Sequence, residues 1–116
     1  MADSDCLFCK IRDEKIPATV VYRDEHVLAF KDITPRAPLH LLVIPTRHIA
    51  NLAEARADDA ELIGRLMVAG ARLAREAGFE DSGYRVVMNV GPDAGQSVHH
   101  VHLHVLGGRP LAWPPG

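Results

Sequence analysis

The run His99-His100-Val101-His102-Leu103-His104-Val105-Leu106 gathers four of the chain's seven histidines into six residues. A strand sends alternate side chains to opposite faces. His100, His102 and His104 are therefore predicted on one face, with Val101, Leu103 and Val105 on the other. The second face explains itself as core. The first does not, because a plain core strand would carry aliphatic residues there. A structural role is easier to grant to one buried histidine than to three in register. Two chemistries suit three such imidazoles. They can share a metal, as in three-histidine zinc sites. Alternatively one is a nucleophile, and its neighbours orient it or bind an anion.

The preceding loop favours the nucleophile. Gly95-Gln96-Ser97 places a glycine where backbone N–H groups can approach a phosphate, followed by an amide and a hydroxyl. Neutral imidazole attacks phosphorus well near neutral pH, and the phosphorus–nitrogen bond it forms is labile. One hard displacement thus becomes two easier ones. Charge on the phosphoryl oxygens needs fixed donors, which a second imidazole and the loop amides can provide. A departing amine needs a proton from an acid or hydroxyl relay, a contribution of about 10²–10⁴-fold.

A second cluster is Cys6-x-x-Cys9. The spacing is tight for a structural disulfide and suits a metal site or a redox pair better. A thioredoxin-like pair expects a βαβ context that this N-terminal segment lacks. Two inert reduced thiols are the third reading.

These residues need elements to position them. Residues 19–23 and 26–31 read as a hairpin turning at Asp24-Glu25. Thr34-Pro35-Arg36-Ala37-Pro38 forces a loop, and residues 39–44 form a buried strand stopping at Pro45. The clearest helix spans about Asp58 to Ala77. Leu62, Ile63, Leu66, Met67, Gly70, Leu73 and Ala77 make one apolar face, and Gly78 suits the stop. Residues 84–90 and 98–106 read as two more strands. Five strands with long gaps and one main helix predict an antiparallel α+β sheet rather than repeated βαβ units.

Length and composition bound the possibilities. The 116 residues fit a single domain, 1–116. With 47% hydrophobic and 24% charged residues the chain reads as globular rather than disordered. A net charge of -2 gives no basic field for nucleic acid. The apolar runs are too short to span a bilayer and MADSDCLF is not a signal peptide, so a cytoplasmic protein with no membrane or nucleic-acid partner is expected.

At the histidine run the sequence closely resembles the histidine triad (HIT) nucleotide-binding family. The motif His-φ-His-φ-His-φ-φ is met by His100 to Leu106, preceded by Gly95-Gln96-Ser97-Val98. Phe30-x-Asp32-Ile33-x-Pro35, His40-x-x-Val43-Ile44-Pro45 and the tail Trp113-Pro114-Pro115-Gly116 match as well. The ending Leu106-Gly107-Gly108-Arg109 looks like the Hint branch, the purine nucleoside phosphoramidases, more than the dinucleoside polyphosphate hydrolases.

The resemblance implies a HIT-like fold with a five-stranded antiparallel sheet, one long helix and a short one, in a homodimer whose C-terminal tail nears the partner's site. It implies hydrolysis of purine nucleoside 5′-phosphoramidates, including adenylated lysine, with no cofactor needed for catalysis. By position, His102 would be the nucleophile, His100 would orient it, and His104 would contact the phosphate. Gly95, Gln96, Ser97 and Asn89 would surround the phosphate, with Ser97 near the leaving group. Asp32 would accept from the ribose hydroxyls, while Leu7, Phe8, Phe30 and Ile33 would wall the base pocket. His40 matches a fourth histidine beside the triad. Each placement has a plainer rival: Asp32 as a turn cap, Asn89 as a strand end, His40 as a core histidine, Trp113 as a packed tail. Some bacterial members carry C-x-x-C and bind zinc with two histidines; here Cys6, Cys9, His48 and His100 would make a closed structural zinc site. His99 stands where the branch usually has Tyr or Phe, and Pro110-Leu111-Ala112 departs from the usual tail. Another nucleotidyl hydrolase and a nucleotide-binding scaffold with incidental activity are the alternatives.

Overall fold

The structure is a computed structural model and describes residues 5–116. Residues 1–4, part of the segment read above as no signal peptide, lie outside the described residues. The hairpin forms as its turn chemistry predicts. Asp24 Oδ1 accepts the His26 and Val27 N–H groups, joining β1 (Val20–Arg23) to β2 (Val27–Lys31). β3 (Leu39–Pro45) pairs with β2 and is buried along its whole length. β4 (Tyr84–Val87) and β5 (Leu103–Gly107) complete a five-stranded antiparallel sheet in the order β1-β2-β3-β5-β4.

The long helix α2 (Ala60–Glu76) follows a 3-10 turn at Ala57–Asp59. Its C-terminus is a Schellman motif: Gly78 takes φ 92, its N–H donates to Arg75 O, and the Phe79 N–H donates to Ala74 O. Leu66, Gly70, Leu73 and Ala74 face Val101, Leu103, Val105, Val27 and Val43 across the sheet. Gly70 lets helix and sheet approach closely: a Cβ there would stand 3.1 Å from Val105 Cγ2 and 3.3 Å from Leu103 Cδ2, so those side chains would have to give way. The predicted apolar stripe is corrected at two places. Met67 is 44% exposed and Ala77 is exposed, while Ala74 is fully buried. At 100° per residue the buried arc centres on Leu66, Gly70 and Leu73, and Met67 lies one step outside it.

The short helix α1 (Leu7–Arg12) covers the opposite face of the sheet. Cys6 is its N-cap, its Sγ accepting the Cys9 N–H at 3.3 Å. Phe8, Cys9 and Ile11 bury against Leu28, Phe30, Leu42 and Ile44. The observed α+β architecture, with one long helix and one short, matches the expectation from the sequence.

The predicted strand over 98–106 is the main correction, since ladder pairing begins only at Leu103. The cause is Pro45. Thr46 donates to His26 O on the β2 side, so the backbone groups of Pro45 face the β5 side. The next pair in register would be Pro45 with Val101, and proline has no N–H to give. The chain peels away there, and the Val101 N–H donates to Ile49 O at 2.7 Å instead. Strand 84–90 likewise ends at Val87, whose partner His104 is near the start of β5.

Candidate active site and metal centre

The alternation expected of the histidines survives this peeling. Val101, Leu103 and Val105 enter the core under α2, and all three imidazoles lie on the α1 side. They do not form one cluster, however. His102 and His104 stand together, ring centroids 5.1 Å apart, and His100 turns toward the cysteines.

His102 is 5% exposed, and its Nδ1 lies 2.7 Å from His100 O. A carbonyl only accepts, so Nδ1 carries the hydrogen and Nε2 keeps the lone pair. Burial pushes the His102 pKa down, outweighing the His100 carbonyl and the Asp32 charge, which act upward. The ring is thus neutral with one defined nucleophilic nitrogen.

His104 is fixed by a second chain of bonds. The Arg36 N–H donates to His40 Nδ1 at 3.0 Å, so a neutral His40 has its hydrogen on Nε2. That nitrogen lies 2.9 Å from His104 Nδ1 and 3.4 Å from Asp32 Oδ2. His40 donates, His104 Nδ1 accepts, and His104 is left with an N–H at Nε2. Burial, with lesser effects from His102 and His40, brings the His104 pKa down to about 4. Burial also lowers that of His40. Asp32, His40 and His104 offer three atoms close enough to hold a cation. The Arg36 N–H nevertheless forces a proton onto the nitrogen an ion would need, so the trio reads as a hydrogen-bond relay.

A cavity of about 340 Å³ opens beside these rings, within the range of small-ligand pockets, about 300–1,000 Å³. His102, His104, Ser97 and Asp32 supply its polar wall. Leu7, Phe8, Phe30 and Ile33 supply apolar wall, with Ile33 91% exposed at the lip. Phe8 meets Phe30 edge-on at 5.4 Å and His102 at 5.1 Å. Asp32 also closes its own turn, Oδ1 accepting from Thr34 N–H and Oγ1. A larger depression of about 490 Å³ lies between the β1–β2 hairpin and α2, but it contains no triad residue and its Glu61 and Arg65 pair with each other.

Other predicted residues lie elsewhere. Gln96 is buried and braces its loop: Oε1 accepts the Gly91 N–H, and Nε2 donates to Ala50 O and Val98 O. Gly95, at φ 81, closes the 3-10 turn Pro92–Ala94, and the loop leads into Ser97 at the cavity wall. His40 lies behind His104, and neither it, Asn89 nor Gly95 lines the cavity. His99 is exposed. Sequence reasoning missed Ile16, Pro17, Ala18, Lys31 and Thr34, which also line the cavity together with Ile11, Leu42 and Val98. The first three arrive by the path of the chain before β1, which no local pattern announces. Lys31 and Thr34 flank the Asp32 turn and were within reach of the motif.

The second cluster joins Cys6, Cys9, His48 and His100. Their ligand atoms all lie within 4.8 Å of one another. His100 is fully buried, and its Nε2 donates to Pro45 O at 2.9 Å, the carbonyl left over where the ladder stops. Its Nδ1 lone pair therefore faces Cys6 Sγ at 3.3 Å, Cys9 Sγ at 3.5 Å and His48 Nδ1 at 3.1 Å. Burial lowers the His100 pKa to about 4, which suits a neutral ligand. Two thiols and two imidazoles converging on one point are the donor set of a closed tetrahedral zinc site, and the backbone carbonyl on Nε2 is the outer partner such a ligand needs. The residues fit the metal.

Comparison with known proteins bears on both clusters. The HIT domain profile matches residues 13–111. The chain belongs to the HIT family. It is 51% identical over 112 residues to an uncharacterized HIT-like protein of Synechococcus elongatus, covering 97% of each. It is 50% identical over 116 residues to the 14 kDa zinc-binding protein of Zea mays, covering 98% of this chain and 90% of that one. Among solved structures, a HIT family hydrolase from Legionella pneumophila superposes with TM-score 0.94 at 51% identity, covering 96% of this chain and 99% of the other. A zinc-bound histidine triad family protein from Mycobacterium smegmatis superposes with TM-score 0.78 at 34% identity, covering 92% and 77%. This HIT chain thus pairs a buried imidazole lined by a cavity with a donor set suited to zinc. Among the described residues no helix is long and apolar enough to cross a membrane.

Proposed function

We propose that this HIT protein hydrolyses purine nucleoside 5′-phosphoramidates through a nucleotidyl-His102 intermediate, as the Hint branch does. The observation that carries the reading is the tautomer of His102: its Nδ1–H is held by His100 O, so Nε2 is the free lone pair beside His104 and the cavity. Nε2 attacks the α-phosphorus, and the P–N bond breaks as the amine leaves with the hydroxyl proton of Ser97, which the water of the next step restores. Water then opens the His102–phosphorus bond, giving the nucleoside monophosphate. His104, with its hydrogen on Nε2 through the relay to His40, donates to a phosphoryl oxygen as charge develops. Asp32, at the cavity wall, accepts from the ribose hydroxyls, and Leu7, Phe8, Phe30 and Ile33 enclose the base.

Cys6, Cys9, His48 and His100 would hold zinc, which would supply structure rather than a Lewis acid. The triad chemistry uses no other cofactor. The chain acts as a homodimer in this reading. Support comes from the apolar side chains left on α2 and the tail, with Val68 70% and Trp113 80% exposed. Two cysteines not joined in a disulfide suit a reducing, cytoplasmic setting.

Quenching a reaction with adenosine 5′-phosphoramidate and mapping the adduct by mass spectrometry tests the proposal. An adenylyl group on His102, absent in His102→Ala, is expected. An adduct on another residue, or none during turnover, refutes it.

A further inference from the structure

His100 belongs to both constellations. Its ring faces the cysteines and His48, and its main-chain carbonyl holds the hydrogen of the His102 ring. The short helix makes a second connection. Leu7 and Phe8, on the cavity wall, sit between Cys6 and Cys9 in the chain, and Phe8 meets the His100 ring at 6.0 Å and that of His102 at 5.1 Å. On both routes a ligating residue and a cavity residue lie within two positions of each other in the chain.

We propose that the Cys6–Cys9–His48–His100 quartet is a positioning site for the nucleophile and the base wall, so that zinc and nucleotide each tighten the binding of the other. The inference rests on the nucleotide reading above. Four donor atoms gather within 4.8 Å, and α1 packs on the sheet through Phe8, Cys9 and Ile11, with Arg12 Nη1 donating to Thr46 O at 2.8 Å. Zinc bound by the quartet would hold the His100 ring through Nδ1, while Pro45 O already holds it at Nε2. With both ends pinned, the His100 carbonyl keeps its aim at His102. Nucleotide in the cavity orders the same two elements from the other side. Whichever ligand binds first bears the ordering entropy, and the second finds the work done. Such coupling is reciprocal by necessity.

The test starts from zinc-loaded protein. Zinc release to a chromophoric chelator is timed with and without saturating AMP. Release at least about fivefold slower with AMP is expected, the low end of typical couplings. By calorimetry AMP binds the zinc-loaded form more tightly than the metal-free form, by the factor by which AMP tightens zinc at equilibrium. Phe8→Ala, which keeps all four ligands but cuts the α1 route, shrinks that factor. The ring ¹⁵N shifts of His102 report one tautomer in the loaded protein and two in exchange after chelation, a change that a merely structural metal would not cause. Unchanged release with AMP demonstrably bound overturns the coupling and leaves the hydrolase reading intact. Zinc-loaded protein that binds no AMP overturns the nucleotide reading and the coupling together, and a chain that takes up no zinc overturns the coupling outright. The release measurement uses loaded protein only, so it stands even where the metal-free chain unfolds.

Discussion

Replacing His104 with Gln probes the hydrogen-bond relay at its most exposed assumption, that His104 is neutral in the folded protein. Glutamine keeps an acceptor for His40 Nε2 and removes the titration. The folded-state value of about 4 stands against an ordinary 6.5. As pH falls, the unfolded chain therefore takes up this proton first. The depression costs nothing above pH 6.5, and its cost grows as pH falls from 6.5 toward 4. At 1.36 kcal/mol per pH unit for each proton bound only in the unfolded state, integration from pH 6.5 to 4.5 gives about 2 kcal/mol. His104 is partly open to the cavity, so solvent screening makes that an upper figure. Urea unfolding of both proteins at pH 7.5, 6.5, 5.5 and 4.5, with zinc content held equal, reads the difference. Wild type should lose ground to His104→Gln by about 1–2 kcal/mol between pH 6.5 and 4.5, with no change in the gap between 7.5 and 6.5 beyond a few tenths. Two parallel curves mean that His104 takes its proton in the folded state near pH 6.5. The ring would then donate from both nitrogens, His40 could not donate to it, and the whole assignment from Arg36 N–H outward would be wrong.

Three further outcomes follow from the same geometry. kcat/KM for a phosphoramidate should keep its plateau below pH 6.5, because burial holds the His102 pKa down; a fall in activity beginning above the ordinary histidine value contradicts a buried neutral nucleophile. Cys9→Ser should lower bound zinc well below one per chain by elemental analysis, since it removes one of four donors; undiminished zinc excludes this quartet. Gly70→Val should destabilise by about 1–3 kcal/mol, as overpacked cores do, because Val105 already stands 3.1 Å from the Cβ position; unchanged thermal unfolding would show that helix and sheet move apart freely.

Side-chain alternation was the most legible feature of the sequence. Period two placed His100, His102 and His104 on one side and Val101, Leu103 and Val105 on the other, and the burial of the three aliphatic residues under α2 keeps that division even where the ladder does not reach. The helix stop at Gly78 and the hairpin turn at Asp24 were legible for the same reason, being local chemistry. What stayed hidden is what depends on a distant segment. Nothing near His100 reveals that its ring turns to Cys6 and Cys9, a contact that spans more than ninety residues; only the family resemblance suggested it. Gln96 looked like a phosphate ligand because amides often are, yet Ala50 and Gly91 occupy its side chain. His40 did not have to be either core or functional, for it is buried and holds His104 at once.

Pro45 shapes this site through an atom it does not have. An alanine there would offer β5 a fresh donor, and Val101 would gain reason to leave Ile49 and zip into the sheet. The zipper would claim the carbonyl that now seats the His100 ring, and the thiol cluster and the reacting imidazole would both drift from their marks. A pyrrolidine ring at one seam of the sheet thus keeps a short length of chain unwoven, and that loose length is where both clusters meet.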